Sequence, residues 1–292
     1  MILKNKKLTF AQALEDYISS KDNILSPSSV RGYRAMQRNC FNDLNNICIV
    51  DFNEKTIQRW VNKIAPQYAP KTLRNQLGLV TVVLHQNGIN LNMKSVSLKQ
   101  KIKPDYVIPN EENVEQIIKI VKDTDIEIPV IFALLLGLRQ SEIASLKWEN
   151  YDGVRIKVAG AIVPDEHNRL VEKESNKSFA GRRYLFVPDY LKKLLDNSPR
   201  QTQYISPHQP QYILRNFHKL CANNNMPKFT MHSLRHANAS IMLKLGVPDK
   251  YAMERLGQST LSMLQQVYQH LYENEQVKIA NTMNNYFNEL LE

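Results

Sequence analysis

Cysteine is scarce. Only Cys40, Cys48 and Cys221 occur in 292 residues, and their spacing fits neither a zinc site nor a redox pair. So few thiols suit a reducing compartment and free side chains rather than a disulfide framework. No Gly-rich phosphate loop precedes a helix, so nucleotide hydrolysis has no support. HExxH, paired cysteines and dense acidic clusters are missing, and neither a bound metal nor any other cofactor is expected. Gly-x-Ser-x-Gly is absent as well. The start, MILKNKKLTF, lacks the apolar run of a secretory signal. The longest apolar run, Ile128 to Leu138, is too short to span a bilayer and contains Pro129. No lipidation motif, internal repeat or low-complexity tract is found. These absences leave a cytoplasmic protein with no membrane attachment as the expectation.

Hydrophobic residues make up 43% of the chain, enough for a sizeable core. The formal charge is +10, and its distribution says more than its size. Residues 1–103 hold 16 Lys/Arg against 6 Asp/Glu, whereas residues 104–292 hold 22 of each. All the excess lies in the first third. A basic module joined to a neutral one suggests that the first binds a polyanion and the second does something else.

The first third reads as helical. Thr9 can cap a helix with Phe10, Ala13, Leu14, Tyr17 and Ile18 on one face. Ser26-Pro27 opens a second, with Val30, Tyr33, Met36 and Cys40 on one side and Arg31, Arg34 and Arg38 beside them. A third holds Ile57, Trp60, Val61 and Ile64, and Pro70 starts a fourth that ends near Asn87-Gly88. Four amphipathic helices suit a small bundle over residues 1–90. Residues 91–106 (LNMKSVSLKQKIKPDY) are polar and basic, without clear periodicity, and read as a linker.

From about Val107 to residue 292 the pattern is that of a second, mostly helical domain. Helices are expected at 110–123, 128–138, 141–147, 188–196, 209–224, 231–245, 248–255, 260–271 and 276–291. Val154–Val158 alternates like a strand, and Arg183 to Val187 looks like its partner in one small antiparallel sheet. The fold class expected is mainly α, in two domains. Within the second, Arg139, Lys177, His232 and Arg235 form a scattered set of cations that could neutralise a phosphodiester during substitution at phosphorus. The nucleophile such a reaction needs has a candidate in Tyr268, inside LGQSTLSMLQQVYQHL.

Five segments, taken in order, carry a resemblance. They are ALLLGLRQSEIASLKW (133–148), SNKSFAGRRYLFVP (175–188), MHSLRH (231–236), LGQST (256–260) and VYQHL (267–271). Their order and spacing resemble the tyrosine recombinase, or phage integrase, family: its arginine box, its β-hairpin lysine, its His-x-x-Arg box, its Leu-Gly-His segment and its tyrosine. The basic helical first third is similar to the family's core-binding domain, and 107–292 to its catalytic domain. Many integrases carry an arm-binding domain ahead of the core-binding helices, and here it is expected to be missing.

The resemblance implies a site-specific recombinase that cuts and rejoins DNA through a 3′-phosphotyrosyl intermediate, without metal or ATP. Arg139 and Arg235 would grip the scissile phosphate, since guanidinium offers a planar fork of donors. Tyr268 would attack phosphorus; Tyr272, four residues on, is its nearest competitor. Lys177 would protonate the departing 5′ oxygen, with Lys173 the neighbouring candidate. His232 would assist proton transfer. Glu142 would orient Arg139, and His236 would pack or hydrogen-bond. One position departs from the pattern: Gln258 stands where the family usually has His, sometimes Trp. An amide can donate to a phosphate oxygen but cannot shuttle a proton near neutral pH. The implied partners are duplex DNA with inverted half-sites and further copies of the chain, assembled as a tetramer. The last helix, with Val277, Ala280, Met283, Phe287 and Leu290 in one stripe, would dock on a neighbour. Three rival readings share these residues. One is a catalytically weakened DNA binder, a second is an activity like that of type IB topoisomerases, and a third is a non-enzymatic helix-turn-helix regulator with MHSLRH as its recognition helix.

Overall fold

The computed structural model describes residues 8–21, 24–100, 107–173, 182–261, 264, 280 and 283–291. It is mainly helical, with two short antiparallel sheets. It divides into two units, Met1–Asp105 with Val163–Val171, and Tyr106–Ile162 with Glu172–Glu292.

The first unit is built on four helices, each started by a local device. Thr9 and Gln12 form a reciprocal capping box ahead of α1 (Phe10–Ser19), which buries Phe10, Ala13, Leu14, Tyr17 and Ile18. Ser26 caps α2 (Pro27–Cys40), where Pro27 occupies the first turn. Asn53 accepts from the Thr56 amide at 3.0 Å to start α3 (Glu54–Ile64), and Pro70 opens α4 (Pro70–Gln86). Their apolar faces meet around Phe10, Phe41 and Trp60, whose indole N–H donates to the Cys40 carbonyl at 3.1 Å. Residues 91–100, the described part of the segment read as a linker, pack on this bundle. Gln58 and the Ser97 backbone exchange two hydrogen bonds, Arg74 donates to the Lys99 carbonyl, and Val96 is buried.

After residue 106 the chain runs α5 (Glu111–Val121), α6 (Glu127–Leu136), α7 (Gln140–Ala144), β1 (Arg155–Val158), β2 (Ala161–Pro164), β3 (Leu170–Lys173), β4 (Arg183–Phe186), α8 (Asp189–Asn197), α9 (Pro210–Asn223), α10 (Met231–Lys244) and α11 (Asp249–Leu256). Residues 283–291 are again helical. The apolar α6 is buried almost all round, so it serves as the centre of the core, packed against α10. It stops at Gly137, in the left-handed region at φ +63°. A Cβ there would lie 2.8 Å from Asn238 Oδ1 and 2.5 Å from a Leu256 methyl, so glycine is required twice over. Asn238 donates to the Leu134 and Leu135 carbonyls, closing the end of α6.

Two expectations change. Residues 141–147 are not one helix: α7 ends at Ala144, because the backbone beyond it turns to pair with 203–205 (Ile205 N–H to the Leu146 carbonyl, Trp148 N–H to that of Gln203). And there are two sheets rather than one. β1 pairs with β4 as expected, but β2 pairs with β3. Neither β2, which ends in Pro164, nor the charged β3 alternates clearly enough to announce itself. The expected helix at 260–271 falls largely outside the described residues.

Candidate active site: arginines around Glu142

The turn after α6 places Arg139 at the N-cap of α7, and that five-residue helix exists to hold Glu142. The Glu142 carboxylate accepts from the Arg139 backbone N–H at 2.9 Å and from its guanidinium at 2.6 Å. A second arginine reaches the same carboxylate from β4. Arg183 Nη1 lies 3.3 Å from Oε1 and Nη2 lies 3.1 Å from Oε2. A third, Arg235 on α10, approaches to 4.0 Å and donates to the Gly137 carbonyl at 2.6 Å.

The other side of the cluster is the carboxyl end of α11. Its successive carbonyls at Arg255, Leu256 and Gly257 accept from Arg183 (2.7 Å), Arg235 (2.5 Å) and Arg139 (3.0 Å) in turn. These are carbonyls a helix end leaves without intrahelical partners, at the negative pole of its dipole. Gly257, at φ +60°, ends the helix and lets the chain turn into Gln258. One carboxylate and one helix end thus fix three guanidinium groups.

Formal charge does not balance here. Three cations surround one anion, and most of the cluster is out of water: side-chain exposure is 0% for Arg235, 4% for Arg183 and 2% for Glu142. Arg139, at 37%, is the member open to solvent. Burial, together with the charge of Arg139, pushes the Arg235 guanidinium down to about 9, against the opposing pull of Glu142. Burial also opposes ionisation of Glu142, but Arg183 and then Arg139 outweigh it and hold its carboxyl below the usual range. Arg235 Nε is buried and has no hydrogen-bond partner among the described residues. A buried donor beside surplus positive charge is what an anion site leaves open before its ligand arrives.

Of the residues singled out in the sequence, Arg139 and Arg235 meet here. His232, one turn before Arg235, keeps an exposed edge, and partial burial with Arg235 and Arg139 nearby lowers its pKa. His236 is buried and sets its ring edge-on to that of His232, centroids 4.7 Å apart, the packing role expected of it. Gln258 follows Gly257 directly, its N–H on the Met253 carbonyl. Lys177 and Tyr268 lie outside the described residues, and Lys173 closes β3. The residue that sequence reasoning passed over is Arg183. Its signal was present: in RRYLFV the inward positions of β4 are Arg183 and Leu185, and Val187 follows them inward. An arginine at a core position of a strand asks for a buried partner. Among the described residues no group of three or more His, Cys, Asp or Glu side chains is placed to hold a metal ion. Nor is any described helix long and apolar enough to cross a membrane.

The segment that builds this cluster also matches a known family. The model of the phage integrase family aligns with residues 109–275. The chain belongs to the phage integrase family. Among curated integrases and recombinases, it is 22% identical over 221 residues to a XerC-like tyrosine recombinase of Caldanaerobacter subterraneus subsp. tengcongensis. That alignment covers 65% of this chain and 56% of the relative, so the chain spans little more than half of that protein's length. The integrase of Staphylococcus phage L54a is 20% identical over 280 residues, covering 80% of this chain and 79% of its own. Among solved structures, the Tn1549 transposon integrase in complex with transposon right end DNA superposes with a TM-score of 0.74 at 16% identity. It covers 89% of this chain and 95% of that one. A lambda integrase dimer bound to a core site gives 0.66 at 14%, over 91% and 79%. At these identities the superpositions establish the integrase fold.

Proposed function

We propose that this integrase-family chain is a site-specific DNA recombinase that cuts and rejoins DNA through a 3′-phosphotyrosyl intermediate, using neither metal nor ATP. The observation that carries the reading is the buried surplus of positive charge around Glu142, with an unpartnered donor on Arg235 and an open face at Arg139. A phosphodiester carries one of the two negative charges such a cluster lacks, and the pentavalent transition state carries a second, so stabilisation grows as the reaction proceeds. Tyr268 Oη attacks phosphorus, the bond to the 5′ oxygen breaks, and Lys177 supplies that oxygen with its proton. Attack of a free 5′ hydroxyl reverses the step, which conserves the phosphodiester energy and removes any need for ATP. His232, with its pKa lowered, is neutral at pH 7 and free to take the phenolic proton. The direct test is incubation with a labelled duplex carrying the junction sequence that flanks its gene, in EDTA and without nucleotide. A DNA–protein adduct that survives denaturation is expected; a strand break with no adduct would reject the mechanism.

DNA is the partner this reading requires, and the first unit is suited to it. Its excess of basic residues predicts weak duplex binding whose affinity falls steeply as salt rises, since each neutralised phosphate releases counterions. Titrating the chain, and a fragment of residues 1–103, from about 50 to 200 mM salt should lower affinity by orders of magnitude. Flat salt dependence would remove the proposed role. Inverted half-sites and a homotetramer complete the reading. It is supported by the solved lambda integrase tetramer on a Holliday junction, a fold neighbour at TM-score 0.68. The exposed Met283, Phe287 and Leu290 on the last helix offer an apolar stripe for a neighbouring copy. The reaction would take place in the cytoplasm.

Gln258 supplies a graded test. If its amide steadies charge on a phosphate oxygen, Gln258→Ala should slow cleavage by about ten- to a thousandfold, as for one lost transition-state donor. Gln258→His should keep or raise the rate. An alanine variant cleaving at the original rate would show that the residue takes no part.

A further inference from the structure

We propose that Arg183 is the positioning residue of this cluster: it neutralises Glu142 and ties β4 to the carboxyl end of α11, leaving Arg139 and Arg235 their charge and their donors for the phosphate. The inference rests on the recombinase reading of the same site. Arg183 occupies an inward position of β4, opposite Val158, where strand alternation calls for an apolar side chain. It is too deeply buried to meet DNA, and its fork is already committed. Nη1 and Nη2 straddle the two Glu142 oxygens, and Nε donates to the Arg255 carbonyl.

Glu142 is faced by charge from three elements: Arg139 at its own helix start, Arg183 from β4 and Arg235 from α10, with His232 next to the last. Remove Arg183 and the carboxylate has only the two phosphate-gripping arginines to answer it. Both would be drawn onto Glu142, and the surplus charge of the cluster would fall by half. The Arg255 carbonyl would lose its donor as well, two residues before the turn at Gly257 that aims Gln258. A phosphate would then meet weaker charge and misaligned donors, although no atom that touches it had changed.

Arg183→Gln and Arg183→Lys in the full chain test this, with thermal stability, DNA affinity and single-turnover adduct formation measured against pH. Expected for Arg183→Gln is DNA affinity within about threefold and an adduct rate at saturating DNA roughly a hundredfold lower, the scale of one lost electrostatic contact. Its rate should also fall off at a higher pH on the acid side, because Glu142 without its strongest partner takes up a proton more readily. A residue that merely supports the fold would not move that limb. Arg183→Lys keeps the charge but loses the fork, so its acid limb should stay near the original while its rate falls about tenfold. If the glutamine variant does not fold, the lysine variant decides. A rate within threefold of the original for whichever variant folds, or a loss matching only the unfolded fraction with the acid limb unmoved, would overturn the proposal. Inorganic phosphate gives a readout independent of DNA cleavage: it should raise the melting temperature of the unsubstituted chain, with a midpoint at least tenfold higher in Arg183→Gln. Equal protection of both would count against Arg183. An unsubstituted chain that binds phosphate but never forms an adduct would defeat the recombinase reading and leave this inference to the phosphate result.

Discussion

Tyr268→Phe should abolish covalent attachment to DNA, the largest effect expected of any single substitution in this chain. The change removes one oxygen and keeps the ring, so packing and DNA affinity should hardly alter. Phenylalanine has no atom that can attack phosphorus, and no neighbouring group can replace it without reaching the same in-line position. Labelled DNA bearing the site, run on a denaturing gel, should therefore show an adduct with the unsubstituted chain and none with the variant. Tyr272→Phe, four residues on, is the control and should leave the adduct intact. Mass mapping of the linked peptide identifies the tyrosine directly. An adduct that persists in Tyr268→Phe, or a link mapped to Tyr272, would move the nucleophile. No adduct from the unsubstituted chain on its true site would favour a DNA binder that has lost its chemistry.

Glu142→Gln should destabilise the fold by about 3–5 kcal/mol, the range for a buried ion pair that loses one partner. The substitution keeps the shape of the side chain but leaves three guanidinium groups, two of them almost wholly buried, without an anion. The amide N–H would also point donors at donors. Urea unfolding of both proteins measures the difference, and a loss under about 1 kcal/mol would show that the charge cluster is held by other means. The pH dependence has a definite sign. The Glu142 carboxyl is held below its ordinary value in the folded chain, so its contribution is present above the ordinary carboxylate range and is lost as pH falls through the depressed folded value. In acid the unsubstituted chain should lose stability more steeply than the glutamine variant, and the two should converge. Parallel curves would refute the linkage. Adduct formation should fall with Glu142→Gln too, because Arg139 loses the partner that fixes both its backbone and its fork.

Much of this molecule is written locally. Thr9, Ser26 and Asn53 start helices through hydrogen bonds that reach only three residues, and Pro70 starts one through its ring, so a short window suffices to place them. The apolar spacing of α1 and α3 fixes which faces are buried for the same reason. Ser145 to Trp148 shows the limit. The helical pattern of IASLKW continues past Ala144, yet the chain leaves the helix because residues 203–205, far off in sequence, offer backbone hydrogen bonds to Leu146 and Trp148. The β2–β3 hairpin shows another. Strands this short and half-buried are made by pairing with each other rather than by an alternating pattern.

The site divides along the same line. Arg139, His232, Arg235 and Gln258 could be named from their motifs, since motif order survives as text whatever the fold does. Glu142 could be attached to Arg139 by its three-residue spacing alone. That one carboxylate also answers an arginine 41 residues later, and that three arginines share consecutive carbonyls at the end of α11, no spacing can reveal. Burial decides it. The same three guanidinium groups spread over a wet surface would be ordinary solvated cations. Enclosed around one carboxylate and a helix end, they hold more positive charge than they can neutralise, and that excess exists only once α7, α10, α11 and β4 have packed together.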